Sequence, residues 1–194
     1  MQPILVAYGT VEGQTRKIAE FIAERLRIRG HRVDLIDTAT PAAEQVTPIY
    51  QGAILGGPVH QQRHPASLLD FVKRNHEWLA AMPTAVFSVS LSAALDDIES
   101  RIEVQRVVNE FVDDCALRPV ATRCIAGALK YTRYDYFKRL MMRMIARQRG
   151  QSTDTSKDVE YTDWNDVEAF VDEFLAAAEL AGTASVGRIR HATT

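Results

Sequence analysis

Residues 4–19, ILVAYGTVEGQTRKIA, decide the fold of this chain. The stretch opens with an apolar run that predicts a buried strand, and an amphipathic helix is predicted to begin near Gln14. Between them lies a loop in which Thr10, Gly13 and Thr15 form the spacing T-x-x-G-x-T. The first N–H groups of a helix have no intrahelical acceptor and carry partial positive charge, so such a loop can hold an anion. The stretch therefore predicts a phosphate site directly after the first strand.

Other phosphate motifs are absent from the sequence. It has no G-x-G-x-x-G fingerprint for a dinucleotide and no G-x-x-x-x-G-K-[ST] loop. A strand–turn–helix with a glycine can also be a simple connector without a ligand, but the hydroxyl groups on both sides of Gly13 favour phosphate binding. The spacing T-x-x-G-x-T, following an apolar strand that ends in Tyr8, resembles the FMN-phosphate loop of the flavodoxins.

Length and composition indicate one soluble globular domain. The chain has 194 residues, 46% of them hydrophobic and 25% charged. A net charge of −2 argues against a nucleic-acid-binding protein. Cys115 and Cys124 show neither C-x-x-C nor zinc-site spacing, so no metal site is predicted. The first strand begins too close to Met1 for a signal peptide, and no apolar run approaches the ~20 residues of a membrane span.

Strands and helices are predicted to alternate along the chain. The predicted strands are residues 4–8, 31–37, 52–57, 84–89 and 120–129, and the predicted helices are residues 14–29, 67–79, 98–115 and 164–180. This alternation predicts an α/β fold, a parallel sheet with helices on both faces. A phosphate loop after the first strand suits the order 2-1-3-4-5, which places the ligand at the carboxyl ends of strands one and three. The loops after Tyr8, Gly57 and Val89 are then expected to meet.

An insertion at residues 130–161 separates the fifth strand from the last helix. Residues 134–149 have helical periodicity, with one apolar face and a basic face that carries Arg139, Arg143 and Arg147. Such a basic amphipathic helix can pack on its own domain, lie on an anionic membrane or bind a partner. Residues 1–181, with this insertion included, are predicted to form a single domain, and residues 182–194 a flexible tail.

Three segments together resemble one particular family. They are IAGALKYTRYDYFKRLMMRMI at residues 125–145, TDT at residues 153–155 and VEYTDW at residues 159–164. With the T-x-x-G-x-T loop, they resemble the flavodoxin-like, menaquinone-dependent protoporphyrinogen IX dehydrogenases. The similarity covers about residues 3–178, and the combination is far more specific than the phosphate loop alone.

The resemblance implies an activity and a location. It implies an enzyme that oxidises protoporphyrinogen IX to protoporphyrin IX in haem synthesis, with FMN passing the electrons to menaquinone or another membrane quinone. Such an enzyme is expected in the cytoplasm, held peripherally at the inner face of the cell membrane by its anionic lipids.

The resemblance also implies site residues. Thr10, Gly13 and Thr15, with the amides of Val11, Glu12 and Gln14, are expected to hold the FMN phosphate. The residues expected to flank the isoalloxazine are Pro58, Val59, His60, Ser88, Ser90, Leu91, Ser92 and Ala93. Substrate or membrane contacts are expected from Tyr131, Arg133, Tyr134, Phe137, Lys138, Arg139, Arg143 and Arg147. No catalytic side chain is predicted, because the flavin carries the chemistry.

The sequence leaves two questions open, the role of two histidines and the choice among other functions. His60 and His64 can exchange protons near neutral pH, although solvated loop histidines are the simpler interpretation. Three other functions also remain: a flavodoxin-like electron carrier, an FMN-dependent quinone reductase with another substrate, and a flavin-free binding module at a membrane.

Overall fold

Apolar segments of the chain form a central sheet of five parallel strands. The computed structural model describes residues 2–129 and 159–190. The strands are β1 (Ile4–Tyr8), β2 (Val33–Asp37), β3 (Gly52–Pro58), β4 (Thr84–Ser90) and β5 (Ala121–Ala126). Their order is β2-β1-β3-β4-β5, which confirms the predicted topology. The three central strands are almost wholly buried, as expected where helices cover both faces of a sheet.

Helices cover the sheet on both sides, and each side has its own apolar core. The helices are α1 (Gln14–Ile28), α2 (Ala66–Arg74), α3 (His76–Leu79), α4 (Ile98–Asp114) and α5 (Trp164–Arg190), with 3₁₀ turns at Pro41–Glu44 and Ser92–Ala94. One core joins α1 and α5 to the sheet around Phe87, Phe170 and Phe174. The other joins α2 and α4 to the sheet around Phe71 and Phe111. None of the helices in the described ranges is long and apolar enough to cross a membrane.

The predicted helix at residues 67–79 is two helices that meet at Asn75. The Asn75 side chain donates a hydrogen bond from Nδ2 to the Phe71 carbonyl, at 2.8 Å, and its Oδ1 accepts one from Trp78 Nε1, at 3.1 Å. Asparagine side chains compete with helical backbone bonds in this way, so the chain turns at Asn75.

The apolar periodicity of residues 98–115 predicts that Ile102 faces the core with Val107, Val108 and Phe111, and for Ile102 this prediction is wrong. The inward face of α4 carries Val107, Val108 and Phe111, whereas Ile102 lies on the outer face with 64% of its surface exposed. Ile98, one turn earlier, is 76% exposed. Both isoleucines lie at helical spacing from one another, so they form an apolar strip beside the acidic residues of the same helix.

The fifth strand ends earlier than predicted, and the chain then enters a small antiparallel ribbon. β5 stops at Ala126, and β6 (Ala128–Leu129) pairs with β7 (Val159–Glu160). Leu129 pairs with Val159 across this ribbon. The two residues that flank positions 130–158 are therefore neighbours, with Cα atoms about 5 Å apart.

Predictions about the insertion lie outside the described residues. These are the basic amphipathic helix at residues 134–149 and its substrate or membrane contacts. The last helix extends beyond the predicted end at Leu180, so its backbone remains helical into the segment predicted as a tail. The flexibility of that tail stays a prediction.

Candidate functional site

The loops that follow β1, β3 and β4 meet at the carboxyl edge of the sheet. The Gly9 amide donates to the Gly56 carbonyl at 2.9 Å, which joins the end of β1 to β3. The Val59 amide donates to the Val89 carbonyl at 2.8 Å, which joins the end of β3 to β4. The three loops expected from the sequence to share a site are therefore neighbours.

The loop between β1 and α1 is closed by a local hydrogen bond. The Gly13 amide donates to Thr10 Oγ1 at 3.2 Å. Gly13 adopts φ +92°, a left-handed conformation that a residue with a Cβ adopts at a cost. The helix begins at once, with the Lys17 amide donating to the Gly13 carbonyl at 3.1 Å. Glycine at this position thus lets the chain turn from the strand directly into the helix.

This loop suits a phosphate group. No acidic side chain lies in the first turn of α1, and Thr15 lies at the helix start with 2% of its surface exposed. Within the described residues, the amides of Val11, Gln14 and Thr15 have no backbone acceptor. The Thr10 hydroxyl accepts from Gly13 and keeps its own proton for a ligand. Amides without a backbone acceptor, two hydroxyls and the positive end of α1 suit a single phosphate group.

The loop after β3 is held in a tight turn. His60 and Arg63 exchange backbone hydrogen bonds of 3.0 and 3.1 Å, and the turn residues Gln61 and Gln62 have φ of 50° and 62°. The Gln62 side chain donates to Glu103 on α4 at 3.2 Å and accepts from Arg106 at 2.9 Å. Backbone strain in the turn is thus balanced by contacts to α4, which fixes the segment Pro58, Val59, His60.

The loop after β4 folds back on itself. The Ala93 amide donates to Ser90 Oγ at 3.2 Å, and Leu91 is buried. Ser92 and Ala93 are partly exposed beside them. Ser88 differs from the other predicted flavin neighbours, because it is 3% exposed and its hydroxyl lies 3.4 Å from His64 Nε2. A contact between Ser88 and the flavin stays a prediction.

His64 is not the solvated loop histidine that the simpler interpretation expected. Its ring packs against Phe111 at 4.7 Å between centroids, and its Nδ1 is shielded from solvent without a hydrogen-bond partner in the described ranges. Burial lowers the pKa of His64 to about 4, although the backbone of Pro58 and Gly57 opposes the shift. The ring borders a cavity of about 390 Å³ between α2 and α4. His64 is therefore a neutral packing residue at physiological pH.

Stability should fall as the pH is lowered from about 6.5 to about 4. The unfolded chain takes up a proton on His64 near the ordinary value of 6.5, whereas the folded chain does so only near 4. This uptake favours unfolding by up to about 1.4 kcal/mol per pH unit within the window. Urea unfolding of the wild type and of His64→Leu across this range measures the difference. An equal pH slope in the two proteins would contradict the burial of a neutral imidazole.

Residues 159–164, here called the return arm, lie against the start of α1. Lys17 Nζ and Glu160 Oε2 form an ion pair of 2.6 Å, and the hydrogen bond from Lys17 lowers the pKa of Glu160. Lys17 also lies 5.1 Å from the centroid of the Trp164 ring, and Phe21 packs on the same ring. Sequence patterns did not indicate this arrangement, since a strand of two residues has no periodicity to detect.

Comparisons with known proteins agree with this geometry. The family model described as a flavodoxin domain matches residues 5–156. The "Protoporphyrinogen IX dehydrogenase [quinone]" of Leishmania major is 32% identical over 89% of this chain and 74% of its own. The protein of the same name from Escherichia coli K12 is 31% identical over 87% of this chain and 92% of its own.

Solved structures show the same fold at lower identity. A short-chain flavodoxin associated with a bacterial microcompartment aligns with a TM-score of 0.57 and 14% identity, covering 92% of this chain and 99% of its own. Oxidised Flavodoxin 1 from Bacillus cereus aligns with a TM-score of 0.52 and 19% identity, covering 90% of this chain and 97% of its own.

Proposed function

This chain belongs to the flavodoxin family and, within it, to the protoporphyrinogen IX dehydrogenases, and on that premise we propose that it oxidises protoporphyrinogen IX to protoporphyrin IX with bound FMN and a quinone acceptor. The fit of the loop between β1 and α1 to a single phosphate carries the proposal. FMN is proposed rather than FAD because this loop serves one phosphate and the sequence has no second nucleotide motif.

The protein's part is to bind and orient the cofactor. Bound FMN supplies the capacity to take two electrons from one partner and give them to another. Thr10 and Thr15 hold the phosphate with the amides of the loop. The turn at residues 58–60 and the loop at residues 88–93 flank the ring and set its local polarity. Leu91, within the second loop, and Leu95, directly after it, are buried and make this side of the site apolar.

The insertion is proposed to meet the substrate and the membrane. Cations at Arg139, Arg143 and Arg147 suit the propionates of a porphyrinogen and the phosphates of lipids. Each Lys or Arg near an anionic leaflet contributes about 1 kcal/mol to binding, so several hold a domain there reversibly. Menaquinone is the acceptor that we propose, with the protein in the cytoplasm at the inner face of the cell membrane.

Thr15→Val should weaken FMN binding by about 2 kcal/mol, because it removes a hydrogen bond to a charged phosphate. Titration of the apoprotein with FMN, followed by flavin fluorescence, measures the change. Thr15→Ser keeps the hydroxyl and is the matched control, which should bind as the wild type does. Equal affinity of the valine and serine variants would place the phosphate elsewhere.

Anaerobic half-reactions test the function directly. Protoporphyrinogen IX should bleach the yellow absorbance of the FMN-loaded protein, and menaquinone added afterwards should restore it. Oxygen is excluded because it would oxidise the substrate without the enzyme. A flavin that remains oxidised in the presence of protoporphyrinogen IX would rule out this substrate. FAD in the extracted cofactor would overturn the proposed site.

An electron carrier is the second candidate. Acidic residues lie along α4 and the loop before it, namely Asp96, Asp97, Glu99, Glu103, Glu110, Asp113 and Asp114. Arg101 and Arg106 pair with two of them, and the net negative charge that remains suits docking to a basic redox protein. A carrier would exchange electrons with a protein partner and leave protoporphyrinogen IX untouched, so the anaerobic experiment separates the two functions.

A further inference from the structure

A threonine of the return arm contacts the start of α1, directly after the phosphate loop. Gln14, at the start of α1, donates from Nε2 to Thr162 Oγ1 at 3.0 Å. The same Thr162 hydroxyl donates to the carbonyl of Ala126, the last residue of β5, at 2.7 Å. One hydroxyl group thus ties the first residue of α1 to the carboxyl end of the edge strand.

The same arm supports the loop after β4. Tyr161 packs against Leu91 and Leu95, which are 8% and 7% exposed. Its amide donates to the Gly127 carbonyl at 3.0 Å, and the Gly127 amide donates to the Ser90 carbonyl at 3.0 Å. Burial among these groups raises the pKa of the Tyr161 phenol. The aromatic ring next to this loop therefore comes from a distant part of the chain.

We propose that Tyr161 and Thr162 are positioning residues of the cofactor site: Thr162 holds the phosphate loop and Tyr161 holds the loop after β4, so that both are set for one FMN molecule. This proposal rests on the proposed function, because it assigns a role toward FMN. Neither residue needs to touch the cofactor. Each acts through a loop that does, and both lie on one short, well-anchored segment.

The physical reason lies in preorganisation. Two loops that bind one ligand must be fixed relative to one another, and any freedom between them is lost on binding and reduces affinity. The phosphate loop follows β1 in the centre of the sheet, and the other loop follows β4. The return arm contacts both, and the Lys17–Glu160 ion pair fastens it to α1. Weakening the arm should thus loosen both loops without removing a cofactor contact.

Paired variants test each residue against its conservative replacement. Thr162→Val removes both hydrogen bonds, whereas Thr162→Ser keeps them. Tyr161→Ala removes the ring, whereas Tyr161→Phe keeps its packing on Leu91 and Leu95. The FMN dissociation constant of each apoprotein should rise about tenfold, or about 1.4 kcal/mol, in the valine and alanine variants. It should stay within about twofold of wild type in the serine and phenylalanine variants.

A double-mutant cycle separates positioning from general destabilisation. Gln14→Ala removes the same hydrogen bond from the α1 side, together with the hydrogen bond between Gln14 and Glu160, and keeps every residue of the return arm. It should weaken FMN binding by itself, and Thr162→Val should add much less in that background than in the wild type. If Thr162→Val proves unfolded, Gln14→Ala compared with the wild type still reports on the contacts between Gln14 and the return arm.

The outcomes are distinct. Wild-type affinity for FMN in Thr162→Val or in Gln14→Ala would overturn the positioning role of Thr162. Wild-type affinity in Tyr161→Ala would overturn that of Tyr161. Weak binding that serine or phenylalanine fails to restore would also overturn it. A wild-type apoprotein that binds no FMN would instead refute the proposed function. The titration of the wild type alone gives this result, before any variant is compared.

Discussion

A chain in which residues 130–158 are replaced by Asn-Gly should fold and bind FMN, yet lose quinone-coupled oxidation of protoporphyrinogen IX by at least about 100-fold. Leu129 and Val159 are paired across the β6–β7 ribbon, so a two-residue turn can join them without strain. The deletion removes the proposed contacts of the insertion to the substrate's propionates and to the membrane, and it leaves the proposed FMN contacts in place. Anaerobic oxidation assays and FMN titrations of the two proteins measure the change.

A full-length variant separates the effect of the insertion's charges from the effect of removing the whole insertion. Charge reversal at Arg139, Arg143 and Arg147 should release the protein from anionic vesicles while FMN affinity stays at the wild-type value. Binding of the wild type to these vesicles should weaken with salt, because exposed charges are screened over about 10 Å at 0.1 M. If the shortened chain oxidises protoporphyrinogen with menaquinone at the wild-type rate, the proposed contacts of the insertion to substrate and membrane are not needed for the reaction.

Gly56→Ala should destabilise the domain by about 3 kcal/mol, since a Cβ at this position would overlap the ring of Phe87. Gly56 and Phe87 are paired across β3 and β4, and the ring lies over the glycine with no exposed surface. Phe170 packs edge-on against the same ring and limits its movement. The added methyl group must therefore displace a fully buried aromatic. Urea unfolding measures the loss.

Two further variants serve as controls for Gly56→Ala. Gly56→Ala combined with Phe87→Leu should recover part of the stability, because leucine lacks the ring atoms that the methyl group meets. Gly127→Ala, whose Cβ would lie 3.2 Å from Val89, should change stability by less than about 1 kcal/mol. A Gly56→Ala protein as stable as Gly127→Ala would mean that the Phe87 ring does not cover the glycine.

The sheet and the phosphate loop could be predicted from sequence because their signals are local. A continuous apolar run such as Gly52–Pro58 indicates a strand buried on both faces, and Gly13 between two hydroxyl residues indicates the turn into α1. Helix α4 was less clear. It carries apolar residues on two sides, and periodicity alone placed Ile102 on the wrong one.

The support of the site could not be predicted, because its contacts join distant parts of the chain. Thr162 and Gln14 are 148 residues apart, and nothing in either segment indicates the other. His64 lies in a polar loop and looks solvated, yet Phe111 from α4 packs against its ring and its Nδ1 is shielded from solvent. Contacts of this kind depend on how helices pack on the sheet, which local patterns do not encode.

The β6–β7 ribbon also affects the folding of this chain and the freedom of the segment between its two strands to change in evolution. Closing a flexible loop costs conformational entropy that grows only with the logarithm of its length, by about 0.6 kcal/mol for each doubling. Because Leu129 and Val159 close the segment between them, its length adds little to the cost of docking α5. Evolution can therefore lengthen, shorten or rewrite that segment under selection for its own contacts, while the folding rate and stability of the sheet stay nearly constant.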